Sequence, residues 1–139
     1  YMQDGRPMVY QKPLRKHTFS SDLVSPPTLP SVAVVYAYVG LSADDVVSLA
    51  RGKEGLVMAG LGHGKMPAPV WEALQPLIEE GLVVVRAARA VGGMVTPVPA
   101  YEGTVTADSL TPQKAKILLQ LALCQTKDLS EIQAFFDAY

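Results

Sequence analysis

The sequence predicts an α/β fold in which helices cover both faces of a small parallel β-sheet. Between residues 32 and 86, three short apolar runs alternate with stretches of helical periodicity. Strands buried on both faces have continuous apolar sequences, and strands that alternate with helices imply parallel βαβ units. Hydrophobic residues form 49% of the 139-residue chain, which is sufficient for the core of one domain.

A β-hairpin is predicted at the start of the chain, where Asp4 and Gly5 separate two short extended segments. An Asp-Gly pair supplies the two residues with positive φ that a tight hairpin turn requires. A hairpin arm that begins at Tyr1 also predicts that further sequence precedes it.

An extended arm is predicted to follow the hairpin. Pro26, Pro27 and Pro30 exclude a helix there, because proline lacks the backbone donor and restricts the residue before it. We therefore divide the chain into residues 1–30, a hairpin and linker from a preceding domain, and residues 31–139, a C-terminal α/β domain.

Local signals give the order of the remaining elements. The predicted strands are apolar and mostly β-branched, and they cover 32–38, 56–59, 82–86 and an edge strand at 104–106. The predicted helices have start signals at Ser42, Pro67, Thr111 and Ser130, and the first two end at Gly52 and Gly81. Residues 87–108 otherwise form a long irregular loop, which is typical of a functional or mobile segment.

The helix after Thr111 is apolar almost all round and has Pro112 at its first position. Such a helix is typical of burial between layers or between subunits. Cys124, near its end, is predicted to be a small buried hydrophobe. As the only cysteine, it forms no disulfide within the chain.

The charge and the apolar runs of the sequence argue against nucleic acids and membranes as partners. Its net charge is −1, so it has no overall surplus of basic residues of the kind that neutralises the phosphates of a nucleic acid. Its apolar runs are far shorter than the roughly 20 residues that cross a bilayer. Charged residues form only 18% of the chain, below the roughly 25% of ordinary soluble domains. This shortage favours surface covered by another domain or by sister subunits, and the small size of the chain is the competing explanation.

A glycine-rich segment at residues 60–65 follows a predicted strand and precedes a helix, which is where α/β proteins place ligands. It is not a P-loop, because Ala59 and Met66 stand where that motif requires glycine and Ser or Thr. A dinucleotide fingerprint fails too, because it needs glycine in place of Lys65. Two interpretations stay open: a tight turn, or a loop that presents His63 or Lys65 to an active site.

The other charged clusters receive structural interpretations. Arg86 and Arg89 end the third strand, and ion pairs that fix loops or interfaces are favoured over binding of an acidic group. His17 is assigned to a surface or an interface rather than to a catalytic base. No His, Cys, Asp and Glu residues have the spacing of metal ligands, and neither a metal nor a cofactor is expected. No threonine has the glycine-flanked context of a nucleophile.

Several sequence blocks, taken in order, carry a family resemblance. The most informative is residues 111–123, Thr-Pro-Gln-Lys-Ala-Lys-Ile-Leu-Leu-Gln-Leu-Ala-Leu. The other blocks run to the terminal Tyr139 and cover 15–18, 34–38, 55–64, 84–89, 110–115, 118–128 and 131–133. Each block alone is weak, but their order is specific. The chain resembles the C-terminal domain of type II L-asparaginases, with part of the segment that leads into it.

The resemblance implies hydrolysis of the side-chain amide of L-asparagine to L-aspartate and ammonia, with glutaminase activity in some members. In that family a threonine nucleophile, a second threonine, an aspartate and a lysine belong to the N-terminal domain, so no catalytic residue is expected here. The C-terminal domain contributes to the substrate pocket of a neighbouring subunit, and the enzyme is generally a homotetramer. A periplasmic or secreted location is implied, and a cytoplasmic one stays open.

The implied substrate contact lies in the glycine-rich loop, where many members have Gly-Asn-Gly-Asn and this chain has Gly62-His63-Gly64-Lys65. Lys65 replaces a neutral amide by a long cation that can pair with the substrate α-carboxylate. Lys65 and His63 are the expected substrate-binding residues, and the preference for asparagine over glutamine stays open. Glu102 is the stand-in for a glutamate that the family carries in the next loop.

Two other hypotheses stay open. A free-standing binding or assembly module would use the same loop for a small carboxylate, without catalysis. A related amidohydrolase domain, such as that of archaeal tRNA-dependent amidotransferases, is disfavoured by the Pro-Gln-Lys-Ala-Lys sequence of the near-terminal helix.

Overall fold

The computed structural model describes residues 2–3, 5–9, 14–16, 20–24 and 26–139. Its elements are, in order, β1 Met2–Gln3, β2 Arg6–Pro7, β3 Val32–Tyr36, α1 Ala43–Ala50, β4 Gly55–Gly60, α2 Ala68–Glu79, β5 Val83–Ala88, β6 Val105–Thr106, α3 Pro112–Leu123 and α4 Leu129–Ala138. A 3-10 turn at Pro99–Tyr101 precedes β6. No helix in this part of the chain is both long enough and apolar enough to cross a membrane.

The main sheet has the strand order β3-β4-β5-β6 and is parallel throughout. The central strands β4 and β5 are buried along their whole length, which explains why their sequences are apolar without alternation. The edge strand predicted at 104–106 is confirmed as β6. The carboxyl ends of the four strands therefore meet at one edge of the sheet.

Helices cover both faces of this sheet, as the sequence predicts. One core joins α1 and α2 to the sheet, and the other joins α3 and α4 to it. Neighbouring residues of β4 alternate between the two cores, with Leu56 and Met58 in the first and Val57 in the second. Leu74 of α2 and Phe136 of α4 are fully buried, and complete burial of such a side chain contributes about 1.5–3 kcal/mol.

The first helix is bounded by the signals that predicted it. The Ser42 hydroxyl accepts a hydrogen bond from Asp45 N at 3.1 Å, which satisfies one of the free donors at the start of α1. The helix ends before Gly52, which adopts a φ of +73°.

The last two helices differ in detail from the prediction. Thr111 does occupy the N-cap position of α3, but its side chain makes no capping hydrogen bond. Pro112 has no N–H, so one of the donors that a cap would satisfy is absent. α4 begins one residue before the predicted Ser130, because the Asp128 carboxylate accepts from Ser130 N at 2.9 Å and from Glu131 N at 3.0 Å.

The predicted hairpin is confirmed, because β1 and β2 pair antiparallel. Gly5 in its turn has a φ of +73°. Asp4, the other residue of the predicted turn, lies outside the described residues, as do Tyr1 and His17.

The described part of the arm docks on the C-terminal end of α4. Lys16 N donates to Ala138 O at 3.0 Å, and the Arg15 guanidinium donates to Phe136 O at 3.0 Å and to the Asp108 carboxylate at 2.6 Å. Cationic side chains are favourable at this end of a helix, where the dipole is negative.

α3 buries one face against the sheet, while Ile117 on another face is 52% exposed. The prediction that Cys124 is buried is wrong, because its side chain is exposed. Cys124 is the residue at which α3 ends, and its thiol donates to Gln120 O at 3.1 Å. An apolar sequence alone does not show which helix face the neighbouring elements cover.

Candidate functional site

The glycine-rich segment forms a tight turn at the carboxyl edge of the parallel sheet. β4 ends at Gly60, and Leu61 and Lys65 then pair as an antiparallel bridge. Leu61 N donates to Lys65 O at 3.0 Å, and Lys65 N donates to Leu61 O at 2.9 Å. The segment is therefore a tight turn, and its role in presenting His63 or Lys65 to an active site stays a prediction.

Two glycines are required by the packing of this turn. A Cβ atom added at Gly60 would lie 2.3 Å from Lys65 O, which is far inside any normal contact. Gly64 has a φ of +69°, and a Cβ atom there would lie 3.1 Å from Val95 Cγ1 and 3.2 Å from Arg86 Cβ. The turn thus packs closely against β5 and against the segment that follows β5.

His63 and Lys65 both lie on the exposed side of the turn. His63 Nε2 is 2.7 Å from Thr96 Oγ1, a hydrogen bond whose donor depends on the tautomer of the imidazole. No ion pair between described residues involves Lys65. Its ammonium group is therefore available to an anion from outside the domain.

Arg86 of β5 is the largest fully buried side chain in the described part of the chain, with 1% of its surface exposed. Its Nε donates to Thr104 Oγ1 at 3.0 Å, its Nη1 to His63 O at 2.9 Å and its Nη2 to Thr96 O at 3.1 Å. The guanidinium carbon lies 4.7 Å from the centroid of the Tyr101 ring. Burial lowers the pKa of Arg86, but arginine starts so far above neutral that the side chain stays charged.

The expectation of an ion pair is wrong for Arg86, whose hydrogen-bond acceptors are all neutral, whereas an interface ion pair of the exposed Arg89 stays a prediction. The acceptors of Arg86 are neutral, and Arg89 Nη1 donates to Ala37 O at 2.5 Å. Within the described ranges, no carboxylate pairs with either guanidinium. Arg86 does fix loops, but through neutral acceptors, because it joins the turn at 60–65 to the segment 96–104.

A cavity of about 480 Å³ opens beside Arg86 and is lined by Tyr101, Thr104, Glu102 and residues 97–99. Glu102 is exposed, so the expected stand-in carboxylate borders the cavity without pairing with the arginine. Among the described side chains, no group of three His, Cys, Asp or Glu is placed to hold a metal ion.

No candidate site residue was predicted at Thr96, Tyr101 or Thr104, although all three contact the guanidinium group of Arg86. Thr96 and Tyr101 lie in an irregular loop without periodicity, and Thr104 was assigned only to the predicted edge strand. The available signal was an arginine at the end of an apolar strand, since a buried guanidinium requires acceptors nearby. The Tyr101 ring also contacts Trp71 edge to face at 5.1 Å, which joins this loop to α2.

The fold and the glycine-rich turn define an α/β domain with a candidate ligand-binding turn at the carboxyl edge of its parallel sheet. Residues 31–136 match the family described as glutaminase/asparaginase C-terminal domain. The match covers most of the chain, and this chain belongs to that family.

Curated relatives match along nearly the whole chain. L-asparaginase 2 of Escherichia coli is 36% identical over 146 residues, which cover 100% of this chain and 42% of that protein. Glutaminase-asparaginase of Pseudomonas fluorescens is 34% identical over 145 residues, which cover 98% of this chain and 40% of that protein. The chain thus spans less than half the length of these relatives. The resemblance to the C-terminal domain of type II asparaginases is confirmed.

A solved structure agrees with this assignment. The protein described as "probable cytoplasmic L-asparaginase" from Campylobacter jejuni has a TM-score of 0.92 and 33% identity, over 100% of this chain and 46% of that one. The predicted fold class is therefore confirmed. The relatives named here are asparaginases or glutaminase-asparaginases, which are hydrolases.

Proposed function

We propose that this chain is the C-terminal domain of an enzyme that hydrolyses the side-chain amide of L-asparagine to L-aspartate and ammonia. The family match over residues 31–136 carries the proposal, and the relatives named as asparaginases support it. The threonine nucleophile then stands in an N-terminal domain, because the chain accounts for less than half of those relatives.

The domain completes the substrate pocket of a neighbouring subunit through the turn at 60–65. This turn lies at the carboxyl edge of the sheet, the usual position of ligands in open α/β sheets. Lys65 binds the α-carboxylate of the substrate, because its ammonium group is exposed and has no ion pair among the described residues. His63, whose ring contacts Thr96, lines the same pocket.

Exposed apolar side chains around the turn support its burial against another domain or subunit. Five of them are more than half exposed: Tyr38, Val39, Leu61, Val91 and Met94. Single exposed apolar residues are ordinary, but these follow the carboxyl ends of three adjacent strands and so share one edge of the sheet. The N-terminal domain and the sister subunits of a homotetramer cover this edge in the proposed enzyme.

We place the boundary between the N-terminal and C-terminal domains of the proposed enzyme at residue 31. Residues 1–30 are the hairpin and linker that arrive from the N-terminal domain, and residues 31–139 are the C-terminal domain. The start of the family match at residue 31 supports this division, as does the separate two-stranded sheet of the hairpin. The contacts of Arg15 and Lys16 with α4 fasten the linker to the domain.

Ammonia release from L-asparagine tests the proposal on two samples, the complete gene product and this 139-residue chain. The complete protein is expected to release ammonia and the chain alone to release none, because no nucleophile is expected within it. Activity of the chain alone would contradict the placement of the nucleophile. A folded complete protein without amidase activity would contradict the proposed reaction.

A binding module without catalysis is the second candidate. The ammonium group of Lys65, which no carboxylate of the described residues pairs with, is the observation that favours it. Titration calorimetry of the chain with L-aspartate separates the two candidates. Binding that is lost in Lys65→Met, together with no amidase activity of the complete protein, would support the module. No binding to the chain alone is expected for a half-site that another domain must complete.

A further inference from the structure

Arg86 is the only charged side chain that is buried in the described part of the chain. Its hydrogen bonds reach two separate loops. His63 lies at the tip of the turn at 60–65, and Thr96 and Thr104 lie near the two ends of the segment before β6. One planar, rigid group thus holds one point of the turn and two points of the later segment.

The burial of this guanidinium is unfavourable by itself. Moving an arginine out of water is costly, and no carboxylate among the described residues offsets that cost. An apolar side chain would fill the same space without this penalty, but it could not donate to the carbonyl groups of His63 and Thr96. What arginine adds at this position is therefore the fixed geometry between the two loops.

Two further contacts hold the turn at 60–65 against its neighbours. His63 Nε2 bonds to Thr96 Oγ1 at 2.7 Å, so the turn and the segment are joined directly as well as through Arg86. Gly64 packs so closely that a Cβ atom there would lie 3.2 Å from Arg86 Cβ. Both contacts involve the residues immediately before Lys65.

We propose that Arg86 is a positioning residue, which holds the turn at 60–65 against the segment 96–104 and thereby sets where Lys65 stands in the neighbouring subunit's substrate pocket. This inference rests on the proposed function of that pocket. Arg86 itself is buried and contacts no reacting atom. Its loss should therefore weaken substrate binding through Lys65 while the chemical step in the N-terminal domain is largely retained.

The first test is Arg86→Lys in the complete gene product. Lysine keeps the charge but lacks the planar fork that reaches Thr104, His63 and Thr96 together. We expect the KM for L-asparagine to rise roughly tenfold and kcat to change by less than about threefold. Loss of kcat in proportion to the unfolded fraction, with KM unchanged, would show a merely structural role and overturn the proposal.

A matched pair at Thr104 keeps the proposal testable if the lysine variant does not fold. Thr104→Val has nearly the same shape but removes the acceptor of Arg86 Nε, whereas Thr104→Ser keeps the hydroxyl. The valine variant is expected to raise KM severalfold and the serine variant to stay within about twofold of the parent protein. Equal KM values for the two variants would overturn the positioning role.

Amide hydrogen exchange of the same complete proteins separates this inference from the proposed reaction. Exchange at Leu61 N and Lys65 N, which close the turn, should be faster in Arg86→Lys and Thr104→Val than in Thr104→Ser. Unchanged exchange would overturn the positioning role whatever the activity. Faster exchange in a protein that releases no ammonia would confirm that Arg86 holds the turn and refute only the asparaginase assignment.

Discussion

The side-chain amide of Gln133 pairs with the outer edge of Thr106 in β6 as a further strand would. Gln133 Oε1 accepts from Thr106 N at 2.8 Å and from Thr106 Oγ1 at 3.2 Å, while Gln133 Nε2 donates to Thr106 O at 3.2 Å and to Asp137 Oδ1 at 2.8 Å. Because β6 is the edge strand of the sheet, α4 thereby satisfies backbone groups that no neighbouring strand reaches.

Removal of this amide should destabilise the domain. Gln133→Ala leaves the N–H and C=O groups of Thr106 without their partner, and an unsatisfied buried polar group costs about 1–3 kcal/mol. We expect a loss of that size in the free energy of unfolding by urea. Gln113→Ala, an exposed position on α3, is the matched control and should change stability by less than about 0.5 kcal/mol. Equal effects of the two variants would contradict the edge-pairing role.

Alanine at Gly60 and at Gly62 should have very different costs. At Gly60 the new Cβ atom would meet Lys65 O at 2.3 Å, so the turn must open, and we expect a loss of about 3 kcal/mol in unfolding free energy. At Gly62 an added Cβ atom would meet no atom within 4 Å beyond the adjacent residues, and only the positive φ of +53° is unfavourable, at about 1 kcal/mol. Chemical denaturation of the two variants measures the difference. Similar losses would mean that the close approach to Lys65 O is not maintained in solution.

Helix ends could be predicted from the sequence where the residues that form them are neighbours in the chain. Ser42 starts a helix because its own hydroxyl reaches a backbone donor three residues later, and Gly52 ends it because of its own φ. The partners of Arg86 depend instead on how the chain returns over 10–23 residues to the same edge of the sheet. Cys124 was predicted wrongly for the same reason, since its exposure depends on the neighbours of α3 and not on its own sequence.

In the candidate site, too, local features could be predicted and long-range contacts could not. The position of His63 and Lys65 on a turn after β4 follows from the glycine pattern and could be predicted. The contact between His63 and Thr96 could not, because the loop that carries Thr96 has no periodicity. A long-range hydrogen bond of this kind leaves no spacing signal in a single sequence.

The N-cap of α4 should make part of the stability depend on pH. Hydrogen bonds from the Ser130 side chain and from the backbone of Glu131 and Ser130 lower the pKa of Asp128. A carboxyl whose pKa is lower in the folded state contributes stability above its unfolded pKa of about 4, and that contribution is lost as the pH falls through the folded value.

We expect Asp128→Asn to flatten this part of the pH dependence, because asparagine keeps an oxygen acceptor but does not titrate. Urea unfolding of the parent chain and the variant between about pH 5 and pH 2 measures the difference. The stabilities of the two should converge toward the acid end of this range. A constant difference in stability across the range would contradict the assignment of this titration to Asp128.

Lys65 should contribute to substrate binding mainly through its charge. In the complete protein, Lys65→Met keeps the length of the side chain and removes the ammonium group, while Lys65→Asn introduces the neutral amide that the family resemblance implies at this position. A hydrogen bond to a charged group contributes about 1.5–3 kcal/mol, so Lys65→Met should raise the KM for L-asparagine roughly 10- to 100-fold, with a smaller rise for Lys65→Asn. Added salt should raise the KM of the parent protein and leave that of Lys65→Met nearly unchanged, because only the parent pairs a cation with the carboxylate. A salt-independent KM in the parent, or an unchanged KM in Lys65→Met, would exclude Lys65 as the carboxylate-binding residue.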